Sequence, residues 1–142
     1  MRSERMDPRH AKLRHAIVAI IEDGDEMLFI ERGREDTYGG YWSNVTGQMD
    51  DGEAQAAACV REAAEEVGLK VIPERKLWES VTRGSHFVLH WWLCRLDGPK
   101  KVTPQAGEVE AFRWIKYADI EQITPMFSDT RLFYRDIYPL VR

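Results

Sequence analysis

Two apolar runs, rich in β-branched residues, flank an Asp-Gly pair in "RHAIVAIIEDGDEMLFIER". That pattern predicts two strands joined by a tight turn. Asp23 and Asp25 read as turn formers, because a calcium loop needs a further oxygen ligand where Met27 stands. A Gly-containing loop, "REDTYGGYW", and a short strand, "WSNVT", lead to Gly47. Residues 54 to 67 hold no Gly or Pro, are rich in Ala, Glu and Arg, and stop at Gly68, where a helix's terminal glycine belongs. They predict a helix. Ala56, Val60, Ala63 and Val67 recur on it at three- and four-residue spacing, a stripe of small side chains suited to close packing on a sheet.

Two more strands follow, "KLWESVT" and "SHFVLHWWLCRL", with a turn at Arg83 and Gly84. Alternation puts Phe87, Leu89, Trp91 and Leu93 on a core face; His86, Val88, His90 and Trp92 form a partly polar face that is free to meet a ligand or a second copy of the chain. His86 and His90 are about 13 Å apart by strand rise, too far to share a metal. After a loop from Asp97 to Gly107 come a strand, "EVEAFRWI", and a short helix, "YADIEQI". "TPMFSDTRLFYRDIYPLV" predicts a final helix with Thr124 as N-cap and Pro125 in its first position. Strands around one well-marked helix, closed by C-terminal helices, predict an α/β fold: an α/β/α sandwich with a mixed β-sheet. We expect a single domain over residues 13–142 and a flexible polar arm over residues 1–12.

The predicted helix carries an unusual charge pattern. At about 100° per residue, Glu65 and Glu66 lie roughly 60° and 40° to either side of Glu62. Like charges at these spacings repel by a few tenths of a kcal/mol on a wet helix, and Arg61 is the cation near enough in sequence to offset them. The helix alone leaves two readings, a solvated acidic face or carboxylates gathered for a hard divalent cation.

Composition narrows the partners. The 142 residues have the size of one domain, and 44% hydrophobic with 31% charged residues are globular values. A formal net charge of −4 argues against a broad duplex-DNA footprint. It leaves room for a small anionic ligand, which needs only a few local cations or a metal. "AIVAII" and "FVLHWWLC" fall far short of the roughly 20 apolar residues that span a bilayer, so no membrane partner is expected. "MRSERMDPRHAKLRH" lacks an apolar run after its charges, and Glu4 and Asp7 within it do not suit a transit peptide. A cytoplasmic location is the expectation. Cys59 and Cys94, without a CxxC partner, read as small buried hydrophobes.

Gly47, Glu53, Arg61, Glu62, Glu65, Glu66 and Gly68 fit G-x5-E-x7-R-E-U-x-E-E-x-G-U, where U is a bulky aliphatic. This resembles the signature of the Nudix hydrolases. Seven fixed positions match by chance with a probability on the order of 10⁻⁸ per starting point. Leu69 meets the last aliphatic position, whereas Ala63 is smaller than usual at the first, Asp50 stands where the family often has Glu, and Thr46 where it often has a second Gly. The order of strands resembles the family over roughly residues 14 to 140.

The resemblance implies hydrolysis of a nucleoside diphosphate linked to another group, with Mg²⁺ as cofactor and Mn²⁺ as substitute. It implies Glu62, Glu65 and Glu66 as metal ligands, the Gly47 carbonyl as a further oxygen, and Glu62 as general base in an alternative role. Arg61, paired with Glu53, is expected to hold the loop on the helix. A further acidic ligand is expected from Glu108 or Glu110, with Glu108 preferred, and Arg32 at the end of the second strand is expected to reach phosphate. Tyr38, Tyr41, Trp42 and Phe127 are candidates for stacking on a base or sugar. The "WSNVTG" segment is similar to that of Nudix enzymes acting on nucleoside triphosphate-like substrates, and nucleotide sugars or ADP-ribose fit equally. A homodimer is the assembly the resemblance allows. The alternatives are a Nudix-fold module that binds a nucleotide without cleaving it, and a hydrolase of RNA 5′ ends.

Overall fold

The computed structural model of the chain describes residues 4–10, 12–82 and 87–142. The expected turn at Arg83 and Gly84, and the place of His86, lie outside them. β1 (Arg14–Asp23) and β2 (Glu26–Arg32) form the expected hairpin, with Gly24 at a positive φ of 63° in its turn. The two strands pair only next to that turn, at Glu22↔Met27 and Asp23↔Glu26. Beyond it they diverge, and β4 (Val45–Gln48) takes the freed edge of β1, with Gly47 opposite Ile17. The short β3 (Trp42–Ser43) lies on β2.

β5 (Val71–Val81) and β6 (Phe87–Leu96) pair antiparallel, and β6 lies parallel to β1 from Arg14 to Glu22. β7 (Val109–Lys116) covers the other side of β2. The sheet is therefore mixed, as expected, and each face is covered. On one face α1 (Gln55–Val67) buries Ala58, Cys59, Ala63 and Val67 against Ile17, Ala19, Leu28, Val45 and Trp92. On the other, the C-terminal helical segment buries Phe133, Tyr134 and Tyr138 against Val18, Ile20, Phe29 and Trp91. The chain is an α/β/α sandwich with a mixed β-sheet.

Four expectations need correction. The packing stripe of α1 runs through Gln55, Ala58, Cys59, Glu62, Ala63 and Val67, while Val60 is 39% exposed. The helix is rotated so that Glu62 turns inward, and Val60 follows the outer side. The segment Tyr117–Gln122 is a 3-10 helix rather than an α-helix. The last helix starts at Ser128, as α2 (Ser128–Leu132), and continues through a π turn (Phe133–Ile137) into α3 (Tyr138–Val141). Thr124 and Pro125 precede it outside any helix, and the Pro125 carbonyl accepts a bond from the Trp42 amide at 2.9 Å, so backbone pairing claims Pro125 instead. Finally, His90 is fully buried, and its two ring nitrogens meet His15 and Lys76 of the same chain. β6 is flanked by β1 and β5, so its described polar-looking positions, Val88, His90 and Trp92, are all buried.

Candidate active site

The site begins with a glycine. A Cβ built on Gly47 would lie 2.0 Å from the Glu62 carboxyl carbon and 2.3 Å from each of its oxygens. Only a residue without a side chain lets the α1 carboxylate approach the β4 backbone this closely. Glu62 is held there by Arg61, whose Nη1 donates to its Oε1 at 2.7 Å. The same guanidinium grips Glu53 through Nε at 2.8 Å and Nη2 at 2.9 Å, a two-pronged contact, and donates to the Gln48 carbonyl at 3.1 Å. Glu53 also accepts from the Asp50 amide at 3.0 Å. The hydrogen bond from Arg61 holds the Glu53 carboxyl below the usual range, and that same bond pushes Arg61 up. Arg61 thereby ties the loop that follows β4 to the helix that carries the acids.

Glu66 lies one turn on from Glu62. Its carboxyl is pushed up to about 9, first by burial, then by its hydrogen bond to Glu62 and the Glu62 charge; Glu108 adds to the rise and Arg32 opposes it. Glu62, Glu108 and Arg32 thus all act on Glu66, although β2 and the loop before β7 supply two of them. The backbone explains the meeting: the Gly33 amide donates to the Glu108 carbonyl at 3.0 Å, and the Gln105 amide to the Glu66 carbonyl at 2.8 Å. Arg32 is braced by Asp36 at 2.8 Å, while its buried Nε has no hydrogen-bond partner among the described residues. Asp36, held below its usual range by the Tyr38 amide and by Arg32, is a brace that sequence reasoning missed, as it sits in a loop with no periodic signal.

Other expected residues lie elsewhere. Glu65 is exposed and turned to Arg61 at 3.3 Å, and Glu110 pairs with Arg34 at 3.3 Å. Tyr38, Tyr41 and Phe127 form a cluster with ring centroids 5.1 to 5.9 Å apart. Trp42 is not in it, and packs on the C-terminal helical layer. A cavity of about 240 Å³ is bounded by Arg32 and by Thr46, Gly47 and Gln48 of β4, with Ala16, Phe87 and Leu89 as its apolar wall. A larger one of about 390 Å³, between Met6, His15, Met49, Glu53 and His90, lies away from Arg32.

Among the described residues, no group of three or more His, Cys, Asp or Glu side chains already stands as a metal cage. The donor chemistry nevertheless fits a hard divalent cation: Glu62 and Glu66 are oxygen donors one turn apart, burial and then Glu62 push the Glu66 carboxyl toward its protonated form, and Gly47 leaves room for a carboxylate against the backbone.

The NUDIX domain family matches residues 12–137. The chain is 28% identical over 130 residues to the NAD-capped RNA hydrolase NudC of Deinococcus radiodurans, covering 89% of this chain and 46% of that protein. It is 27% identical over 106 residues to the CTP pyrophosphohydrolase of Escherichia coli, covering 72% and 76%. It spans about half the length of the first curated relatives that it matches. The crystal structure of a NUDIX hydrolase from Nitrosomonas europaea superposes with a TM-score of 0.75, covering 87% of this chain and 71% of that one at 16% identity, a likeness of fold.

Proposed function

Because the chain belongs to the Nudix family, we propose that it hydrolyses a phosphoanhydride bond in a nucleoside diphosphate linked to another group. The Glu62 carboxylate, set against the Gly47 backbone and held by Arg61 with Glu66 one turn on, is the observation that carries this reading. Glu62 and Glu66 would hold Mg²⁺, or Mn²⁺ in its place, with the Gly47 carbonyl and Glu108 as further oxygens and Glu65 joining them on release from Arg61. When bound, such a cation offsets the charge of the polyphosphate and acidifies the attacking water.

The chain's own groups supply the rest. Arg32, which lines the cavity and is braced by Asp36, binds phosphate oxygens. In the alternative role, in place of holding the cation, Glu62, held by Arg61 and backed by Gly47, accepts the proton of the attacking water. Tyr38 and Tyr41, on the loop that pairs with Arg32, and Phe127, just before α2, offer ring faces to a base. NAD-capped RNA and CTP, named for two relatives, both contain the phosphoanhydride that this arrangement would cleave. The net charge of −4 favours a small nucleotide, of the triphosphate, nucleotide-sugar or ADP-ribose class, over a long RNA track.

The test is a chromatographic screen of the purified protein with Mg²⁺ against nucleoside triphosphates, nucleotide sugars, ADP-ribose, NADH and triphosphate-ended RNA. Cleavage of at least one, dependent on the cation and lost in Glu66→Gln, is expected. Saturable binding with every ligand recovered intact would favour the non-catalytic binding module instead.

A further inference from the structure

The helix that carries the acids begins without a cap of its own. α1 starts at Gln55, and the residue before it, Ala54, has the extended backbone of an N-cap (φ −70°, ψ 148°) but no side-chain acceptor. No acid lies in the first turn. Two of its unpaired amides are met from far away in the chain. The Glu4 carboxylate accepts from the Gln55 amide through Oε1 at 2.8 Å and from the Ala56 amide through Oε2 at 3.0 Å. The Glu4 carbonyl also accepts from Gln55 Nε2 at 3.3 Å, and Gln55 Oε1 accepts from Trp92 Nε1 at 3.0 Å, which ties the same turn to β6.

Glu4 is delivered by a strap fixed to β5. Lys76 Nζ donates to the Arg5 carbonyl at 2.9 Å, the Asp7 amide donates to Glu79 Oε2 at 3.2 Å, and His10 pairs with the same carboxylate. A carboxylate across the first amides of a helix is favoured by two charge-assisted hydrogen bonds and by the helix dipole. What it steadies is the junction at which Glu53 leaves the loop to grip Arg61, which in turn holds Glu62 and Glu65.

We propose that Glu4 is a positioning residue for the acidic site: it clamps the first turn of α1, and through the Glu53–Arg61 pair it sets the carboxylates for a divalent cation. This rests on the reading of Glu62 and Glu66 as cation ligands. The experiment compares wild type, Glu4→Ala, and Glu4→Ala combined with Ala54→Ser, which places an acceptor in the native N-cap conformation. Mn²⁺ affinity is read by electron paramagnetic resonance, and amide exchange is followed at Gln55 and Ala56.

In Glu4→Ala the Mn²⁺ dissociation constant rises about three- to tenfold and both amides exchange faster; Ala54→Ser recovers affinity and slows the Ala56 amide. Unchanged affinity and exchange in Glu4→Ala, or an affinity loss that Ala54→Ser leaves in place, overturns the proposal. Should Glu4→Ala fail to fold, Glu4→Gln, which keeps one acceptor oxygen, is read in its place with the same outcomes at smaller size. A wild-type protein that takes up no Mn²⁺ instead refutes the reading of the carboxylates, and the clamp is then decided by amide exchange alone.

Discussion

A single methyl group at residue 47 would fall inside the Glu62 carboxylate, 2.0 Å from its carbon. No small adjustment accommodates that, since the obstacle on one side is β-sheet backbone and on the other a side chain held by Arg61. Gly47→Ala is therefore expected to expel Glu62 from its place and to cost about 1 to 3 kcal/mol of stability. Thermal unfolding with and without Mg²⁺ checks it: the variant melts lower and gains less from the ion than wild type. Equal gains in both proteins would show that Glu62 does not depend on the absent side chain. Gly47, Glu53, Arg61, Glu62 and Glu66 are legible from their spacing in the motif alone. That Arg61 engages Glu53, Glu62 and Glu65 at once is not, because such sharing depends on where the loop folds back.

At the scale of elements, α1 shows how a helix can be well marked at one end and incomplete at the other. Its C-terminal end is encoded locally: Gly68 takes φ 66° and its amide donates to the Ala64 carbonyl at 3.1 Å. Gly68→Ala must hold that left-handed conformation with a Cβ only 3.1 Å from the Thr103 Cβ, so a loss of about 1 to 2 kcal/mol is expected. Chemical denaturation reads it directly, and an unchanged midpoint with unchanged slope would contradict the assignment. The N-terminal end has no such local signal beyond the missing acceptor at Ala54, because its cap arrives from Glu4. The final helix fails in the opposite sense. Thr124-Pro125 has the look of a helix start, yet the Trp42 amide takes the Pro125 carbonyl and the helix begins at Ser128.

Across the whole molecule, a buried polar chain joins the arm, β1, β5 and β6. Lys76 Nζ donates to His90 Nδ1 at 2.8 Å and to Glu79 Oε1 at 2.8 Å, which fixes the His90 proton on Nε2, facing His15 Nδ1 at 2.8 Å. Burial pulls His90 down to about 4, helped by Lys76, His15 and His10 and opposed by Glu79. Burial would raise Glu79, but hydrogen bonds from Lys76, His10 and the Asp7 amide hold it at about 2. Both groups bind protons more readily in the unfolded chain, so stability falls on acidification. The His90 contribution is complete above about pH 6.5 and is lost between there and about pH 4; the Glu79 contribution is lost from about pH 4.5 toward pH 2. Thermal midpoints across pH should slope downward through the upper window in wild type and less steeply in His90→Asn. Parallel slopes would mean that His90 is not the group that titrates.

Sequence alone determined the hairpin, the acidic helix with its glycine stop, the mixed sandwich and the motif acids, all of which rest on periodicity or fixed spacing within a short stretch of chain. Only the tertiary structure decided which way α1 is rotated, that the Glu108 loop bonds to Gly33 and, through Gln105, to Glu66, that Glu110 and Trp42 turn elsewhere, and that Glu4 caps the helix. The reason is one of distance. A carboxylate's partner, or an amide's acceptor, is chosen by what the fold brings within about 3 Å, and for Glu4 and Gln55 that choice spans 51 positions of chain.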